Sequence, residues 1–370
     1  MGNVINMIGG GKSTGQYVWE KFGLKLVSDG ESWTLSNITS GYFNSVYYGN
    51  GLWVAGGNGL YYSTDGKTWT QSNVTTGIFK SIYFNDGVWV AGGSDDSKGL
   101  WYSTDGKTWS KSNITTVIFY LVYYSNDVWV AAGGNGLYYS TDGKTWTQSN
   151  VTTGLFYSAY YGNGLWVACG DTGLYYSADG INWTQSNIVV ELSLVYYANG
   201  LWVANSNSGE GTYYSTDGEF WSSSNTSIDF SSIYYANGIW VAGSGYGLYY
   251  STDGKAWTKS NVGGYSYINS VYYANNLWVA SGIETGLYYS ADGKNWSYGN
   301  SCAILSFYYD NNIWVAGGNI GLWYLEPIQE KGEILGYIVG DNESDYPDKA
   351  VQDGYYYEKV LPPVNPSENI

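Results

Sequence analysis

From residue 45 the chain reads SVYYGNGLWVAGGNGLYYSTDGKTWTQSN, in which short runs of large apolar residues are separated by Gly, Asn and Asp. Runs of four or five such residues bounded by turn formers predict strands, since helices need longer stretches with a 3.6-residue period. We label the strands A (45–48, SVYY), B (52–56, LWVAG), C (60–63, LYYS) and D (68–70, TWT). This pattern returns through nearly the whole chain, and the stretch 57–77 recurs letter for letter at 134–154. The Asp of the turn between C and D falls at Asp29, Asp65, Asp105, Asp142, Asp179, Asp217, Asp253 and Asp292, giving eight copies at a period of 36 to 40 residues.

Four short strands in about 40 residues is the size of a propeller blade. The expected fold is therefore all-β, an eight-bladed β-propeller of four-stranded blades over 23–326, flanked by a small terminal module from 1–22 and 327–370. The chain enters with C- and D-like stretches only (23–33) and leaves with A, B and one more C-like run (307–325), so the N- and C-terminal strands are expected to complete one blade. Closing the ring this way removes open sheet edges. Two stretches compete for the third strand of that blade, 24–27 and 322–325.

Aromatic residues make up 19% of the chain and charged residues 12%, the reverse of a disordered repeat. The Tyr pairs and the Trp of strand B (Trp53, Trp89, Trp129, Trp166, Trp202, Trp240, Trp278 and Trp314) could be sugar-stacking platforms, but so regular a set is read as core between blades. Cys169 and Cys302 lie more than three repeats apart, so each is read as a small core residue rather than half of a disulfide. Residues 9–14 (GGGKST) lack the spacing and context of a phosphate-binding loop. No basic segment followed by an apolar run opens the chain, and no apolar stretch approaches membrane-spanning length, so neither a signal peptide nor membrane insertion is expected. A net charge of −16 argues against nucleic acid as a partner, because phosphate contacts need clustered cations.

In the turn S-x-D-G-x-x-W the carboxylate can accept N–H groups of its own loop, the Gly can take a conformation that a Cβ forbids, and the Trp packs beneath. The motif resembles the Asp-box of the sialidase-like (BNR) propeller family; seven copies keep the Ser and the first has Val27 in its place. The resemblance implies that these eight Asp residues are structural and lie away from any active site. Sialidase activity is not expected: sialidases hold the substrate carboxylate with an arginine cluster, and this chain has no Arg and no His, its 15 basic residues all being Lys. A glycosidase needs only two carboxylates, and Glu191, Asp229, Glu210, Glu284, Asp171, Asp95 and Asp96 are the loop candidates for one. The adjacent pair Asp95 and Asp96 is too small a ligand set to predict a cation site. No catalytic residue, metal or cofactor is assigned.

The A-to-B and C-to-D turns barely vary between copies, whereas the D-to-A and B-to-C segments differ widely. In an up-and-down blade those two segments emerge on one face, and loops on a rigid scaffold are where recognition resides. The candidate binding residues are Asn44, Lys80, Tyr120, Tyr157, Tyr246, Tyr265 and Asn269. Outside the repeats, 15–22 (GQYVWEKF) and 336–360 (GYIVGDNESDYPDKAVQDGYYYEKV) resemble a small module of tail and structural proteins of phages and prophages of Gram-positive, often gut, bacteria. The resemblance implies a virion tail protein, made in the bacterial cytoplasm and acting outside the cell beside other tail proteins. The expected function is a non-catalytic receptor-binding adhesin for a host surface glycan or protein, with homo-oligomers compatible; a glycan-degrading tail enzyme and a virion decoration protein are the alternatives.

Overall fold

The computed structural model describes residues 17–27, 30–206, 209–224, 226–262, 266–282, 285–326, 328–340, 350–352 and 355–360. Asp29, Tyr265, Glu284 and the stretch 9–14 therefore lie outside the described residues. The chain divides into two units, 30–326 and a second made of 1–29 with 327–370.

The larger unit is an eight-bladed propeller. Its first blade consists of Phe43–Gly49, Leu52–Gly57, Gly59–Ser63 and Thr70–Gln71, antiparallel in that order. The outer strand is shorter than its letters suggest and starts later, because the backbone of Lys67 and Thr68 is used by the turn before it. Six further blades repeat this order along the chain. The closing blade pairs Ile304–Asp310, Ile313–Gly318 and Gly321–Leu325 with Thr34–Leu35 from the other end of the chain.

The competition for the third strand of that blade is thus decided for 322–325. A two-residue turn, 319–320, joins it to its neighbour, which makes pairing entropically cheap. The rival stretch 24–27 belongs to Tyr17–Val27, which pairs with Ile328–Gly340 from Val27 opposite Ile328 onwards and is not a blade strand. Consequently the propeller unit begins at Gly30 rather than at 23. In the second unit Tyr17–Val27 lies between Ile328–Gly340 and Tyr355–Val360, with Ala350–Gln352 at the edge.

The apolar core is divided into eight clusters, each shared by two adjacent blades. One of them joins Val54 and Leu60 of the first blade to Phe79, Ile82 and Trp89 of the second. All eight strand-B tryptophans are at most 2% exposed, so they are core and present no stacking platform. Trp53, for instance, is held between Tyr48 of its own blade and Tyr308 of the preceding one, with centroids 4.9 and 6.1 Å away. Both cysteines are free and buried in these clusters.

Each described turn between C and D closes on the same hydrogen bonds. At Asp65 the Ser63 hydroxyl donates to Oδ1 (2.8 Å) and accepts from the Gly66 N–H (2.9 Å), while Oδ1 also accepts from the N–H groups of Lys67 and Thr68 (both 2.8 Å). Gly66 has φ +75, and a Cβ there would stand 2.9 Å from a Val315 methyl. Asp105, Asp142, Asp179, Asp217, Asp253 and Asp292 repeat the arrangement. At Asp179 partial burial opposes ionisation, but the Asn182 N–H and side-chain amide, the Ile181 N–H and the Ser177 hydroxyl outweigh it and pull the carboxyl down to about 2.

Candidate recognition face

Backbone hydrogen bonds tie the two variable segments together. In the first blade the N–H groups of Gly59 and Leu60, at the B-to-C turn, donate to the carbonyls of Gly77 and Val74 in the D-to-A segment, at 2.8 and 3.0 Å. The conserved turns meet elsewhere: the position of a Gly106 Cβ, in the second blade's C-to-D turn, lies 2.5 Å from Leu52 at the first blade's A-to-B turn. The two faces of the disc therefore carry different segments, as the repeat pattern implied. Among the described residues, eight large apolar side chains are exposed, and six of them (Tyr42, Leu155, Val189, Tyr246, Tyr267 and Ile320) sit in the variable segments. The other two are Phe220 in a C-to-D turn and Tyr298 on an outer strand.

Asn44, Lys80, Tyr120, Tyr157 and Asn269 occupy equivalent positions near the start of the inner strands of the first four blades and the seventh. Two of them meet: the Tyr120 and Tyr157 rings are 5.4 Å apart at 61°. Burial, then Glu191, Asp171 and Tyr120 nearby, push the Tyr157 phenol above its ordinary value. Asp171 accepts the Leu155 N–H at 2.9 Å. Asn44 is instead a tie between blades, its amide donating to the Phe79 carbonyl at 3.0 Å. Asn269 is anchored through its N–H to Ser281, and its Oδ1 is buried with no hydrogen-bond partner among the described residues. Tyr246 is 56% exposed, and Tyr267, which the sequence did not single out, is exposed beside Gly245 in the same blade-to-blade junction.

The loop carboxylates are dispersed. Asp229 accepts the Gly209 N–H at 3.2 Å, Glu210 is exposed, and Asp95 and Asp96 open a 3-10 turn, Asp95–Ser97. No group of three metal-ligating side chains occurs among the described residues. Two adjoining open depressions, of about 290 and 410 Å³, lie where the first and second blades meet on this face.

The inner strands carry a feature that the sequence reading assigned to general core. Tyr47, Tyr83, Tyr123, Tyr160, Tyr196, Tyr234, Tyr272 and Tyr308 form a closed belt, each ring 4.7 to 6.2 Å from the next. Burial, followed by the neighbouring phenols of Tyr83 and Tyr308, drives the Tyr47 phenol far above the ordinary value. The signal in the sequence is that the first ring of each aromatic pair is always Tyr, whereas the second becomes Phe at Phe84.

No family model matches the sequence, and no curated protein matches it. Solved structures are similar in fold. The computationally designed Ika8 protein aligns at 12% identity with a TM-score of 0.64, over 80% of this chain and 98% of its own. BamB from Moraxella catarrhalis aligns at 10% identity and 0.57, over 82% and 99%, and YCF48 bound to D1 peptide at 14% and 0.52, over 82% and 99%. These similarities concern the propeller architecture.

Proposed function

We propose that this chain is a non-catalytic receptor-binding module that engages a host surface glycan or protein through its variable face. The observation that carries the reading is the segregation of six of eight exposed apolar side chains onto the segments that differ between copies. Loops held on a rigid scaffold are where recognition resides, and these exposed apolar groups lie on such loops. Near-identical blades add a second reason, since linked weak sites raise avidity without a new contact. YCF48, a propeller of similar architecture, is solved with a bound peptide.

The setting we propose is a phage tail. The two stretches that resemble the tail module, 15–22 and 336–360, are far apart in the sequence, and strand Tyr17–Val27 pairs with strands drawn from the second of them. An intact small module with a propeller inserted in it would give this pairing.

The experiment is to incubate the purified protein with intact Gram-positive gut bacteria and their wall polysaccharides, measuring retention and released sugar together. Retention without release is expected. Released sugar would replace this reading with a carboxylate-dependent glycan hydrolase, for which Glu191 and Asp171 near Tyr157 are the first residues to change. Neither retention nor release would leave a virion decoration part.

A further inference from the structure

The second blade departs from the repeat at three places, and all three meet in space. Where the first blade has the single residue Asn58 between strands, the second inserts 94–98 (SDDSK). Where the first has Tyr61 the second has Trp101, and where the first has Gln71 the second has Lys111. In the first blade Gln71 donates to the Tyr61 hydroxyl at 2.9 Å and to the Thr75 carbonyl at 3.1 Å, closing the edge of the face. In the second, the Trp101 indole N–H donates to the Ser97 carbonyl at 3.0 Å, fixing the ring against the inserted turn, and the Lys111 ammonium lies over the ring face, 5.0 Å from its centroid. Trp also replaces this Tyr at Trp323, and Lys replaces this Gln at Lys259, but only the second blade combines both with the insertion.

The result is the depression of about 410 Å³, lined by Thr75, Thr76, Asp96, Trp101 and Lys111, which adjoins the one of about 290 Å³ beside Asn58 and Asp95. The larger one is on the scale of small-molecule sites, which begins at about 300 Å³. The chemistry of the lining narrows the ligand. Trp101 supplies an apolar face with a fixed edge. Asp96 is an exposed acceptor, whereas Lys111 is an exposed donor. An anion would meet Asp95 and Asp96, and a cation would meet Lys111. A neutral molecule with one apolar face and a rim of hydroxyls, each both donor and acceptor, satisfies all of these groups at once.

We propose that this junction binds a neutral pyranose that takes the place of the exposed Lys111 ammonium on the Trp101 face, with ring hydroxyls donating to Asp96 and accepting from the displaced Lys111. The proposal rests on the variable face being the recognition surface and names its ligand class.

The test is saturation-transfer NMR on the full chain with a panel of methyl glycosides (glucoside, galactoside, mannoside, rhamnoside and N-acetylglucosaminide), with cell retention measured in parallel. At least one glycoside should show saturable transfer. Two variants locate it: Asp96→Asn, and a restored blade in which 94–98 become a single Asn with Trp101→Tyr and Lys111→Gln. The restored blade has the letters of the first blade at these positions, so it is expected to fold. It should weaken the signal at least tenfold, and Asp96→Asn several-fold. Absence of transfer from every glycoside, or transfer unchanged in the restored blade, overturns the sugar site. Retention of the wild-type protein on cells without any glycoside transfer would overturn this site alone and leave the recognition reading standing.

Discussion

Asn73 of the first blade spends its whole side-chain amide on Trp109 of the second: the NH₂ donates to the Trp109 carbonyl at 3.0 Å, and the oxygen accepts the Trp109 N–H at 2.8 Å. Asn37, Asn113, Asn150, Asn187 and Asn261 make the same bracket to the next blade's turn tryptophan. Each bracket joins the outer part of one sheet to the next, where short two-residue strands make few other contacts. Replacing Asn73 by Ala should therefore cost about 1–3 kcal/mol, the scale of leaving hydrogen-bonding groups unpaired. Urea unfolding monitored by tryptophan fluorescence checks this; Asn73→Asp, which keeps the acceptor and loses the donor, should fall between Ala and wild type.

Acid should loosen the turns in a defined window. The Asp179 carboxyl is held at about 2, below its ordinary value near 3.8, by the Asn182, Ile181 and Ser177 donors that outweigh partial burial. A depressed carboxyl contributes stability that is present above the ordinary value and is lost as pH falls towards about 2. The urea midpoint should accordingly drop between about pH 4 and pH 2. Asp179→Asn should be less stable than wild type at pH 7 and should show a shallower decline in that interval.

Alkali acts on the belt in the opposite sense. Burial, reinforced by neighbouring phenols, raises the Tyr47, Tyr123, Tyr196 and Tyr272 hydroxyls above their ordinary value of 10.0. A raised phenol contributes stability that is complete below the unfolded value and is lost progressively as pH rises beyond it. Absorbance at 295 nm should show a group of tyrosines that ionise only as the chain unfolds. Tyr47→Phe removes one buried hydroxyl of the belt while keeping the ring between Tyr83 and Tyr308, and should change stability at neutral pH by about 1 kcal/mol or less.

Binding and stability should separate on the variable face. Tyr246 and Tyr267 are 56% and 55% exposed. Exposed positions of this kind tolerate substitution within about 0.5 kcal/mol. The double variant Tyr246→Ala/Tyr267→Ala should keep the wild-type urea midpoint while its retention on host cells falls tenfold or more. Equal retention by variant and wild type would remove this sector from the binding surface.

Blade number and turn chemistry were legible because they are local. Ser63, Asp65, Gly66 and Trp69 lie within seven residues; the described copies repeat the Ser, Asp and Gly hydrogen bonds around the ring, and six of them add the bond from the turn Trp N–H to the Gly carbonyl, which Trp257 alone lacks. The alternation of constant and variable turns likewise separates the two faces of the disc, since successive strands must run in opposite directions. At the candidate positions the outcome divides by contact range. Tyr120 and Tyr157 are adjacent because they occupy the same place in consecutive copies, but the Glu191 carboxylate comes near Tyr157 from the D-to-A segment that leads into the following blade, which no period announces.

The sequence by itself determined an eight-bladed all-β ring, its repeated turns and the face on which its copies differ, because each follows from hydrogen bonds and strand direction within one repeat. Only the tertiary structure decided which stretch completes the last blade, that eight tyrosines close into a belt, and that each Asn bracket spans two blades. Those are contacts between positions a repeat or more apart, and at the seam the Val46 N–H meets the Ser306 hydroxyl across 260 positions at 3.3 Å. Such pairs are set by closure of the ring: the last blade must meet the first, and once 322–325 fills its third strand, 24–27 is left to pair with the C-terminal strands.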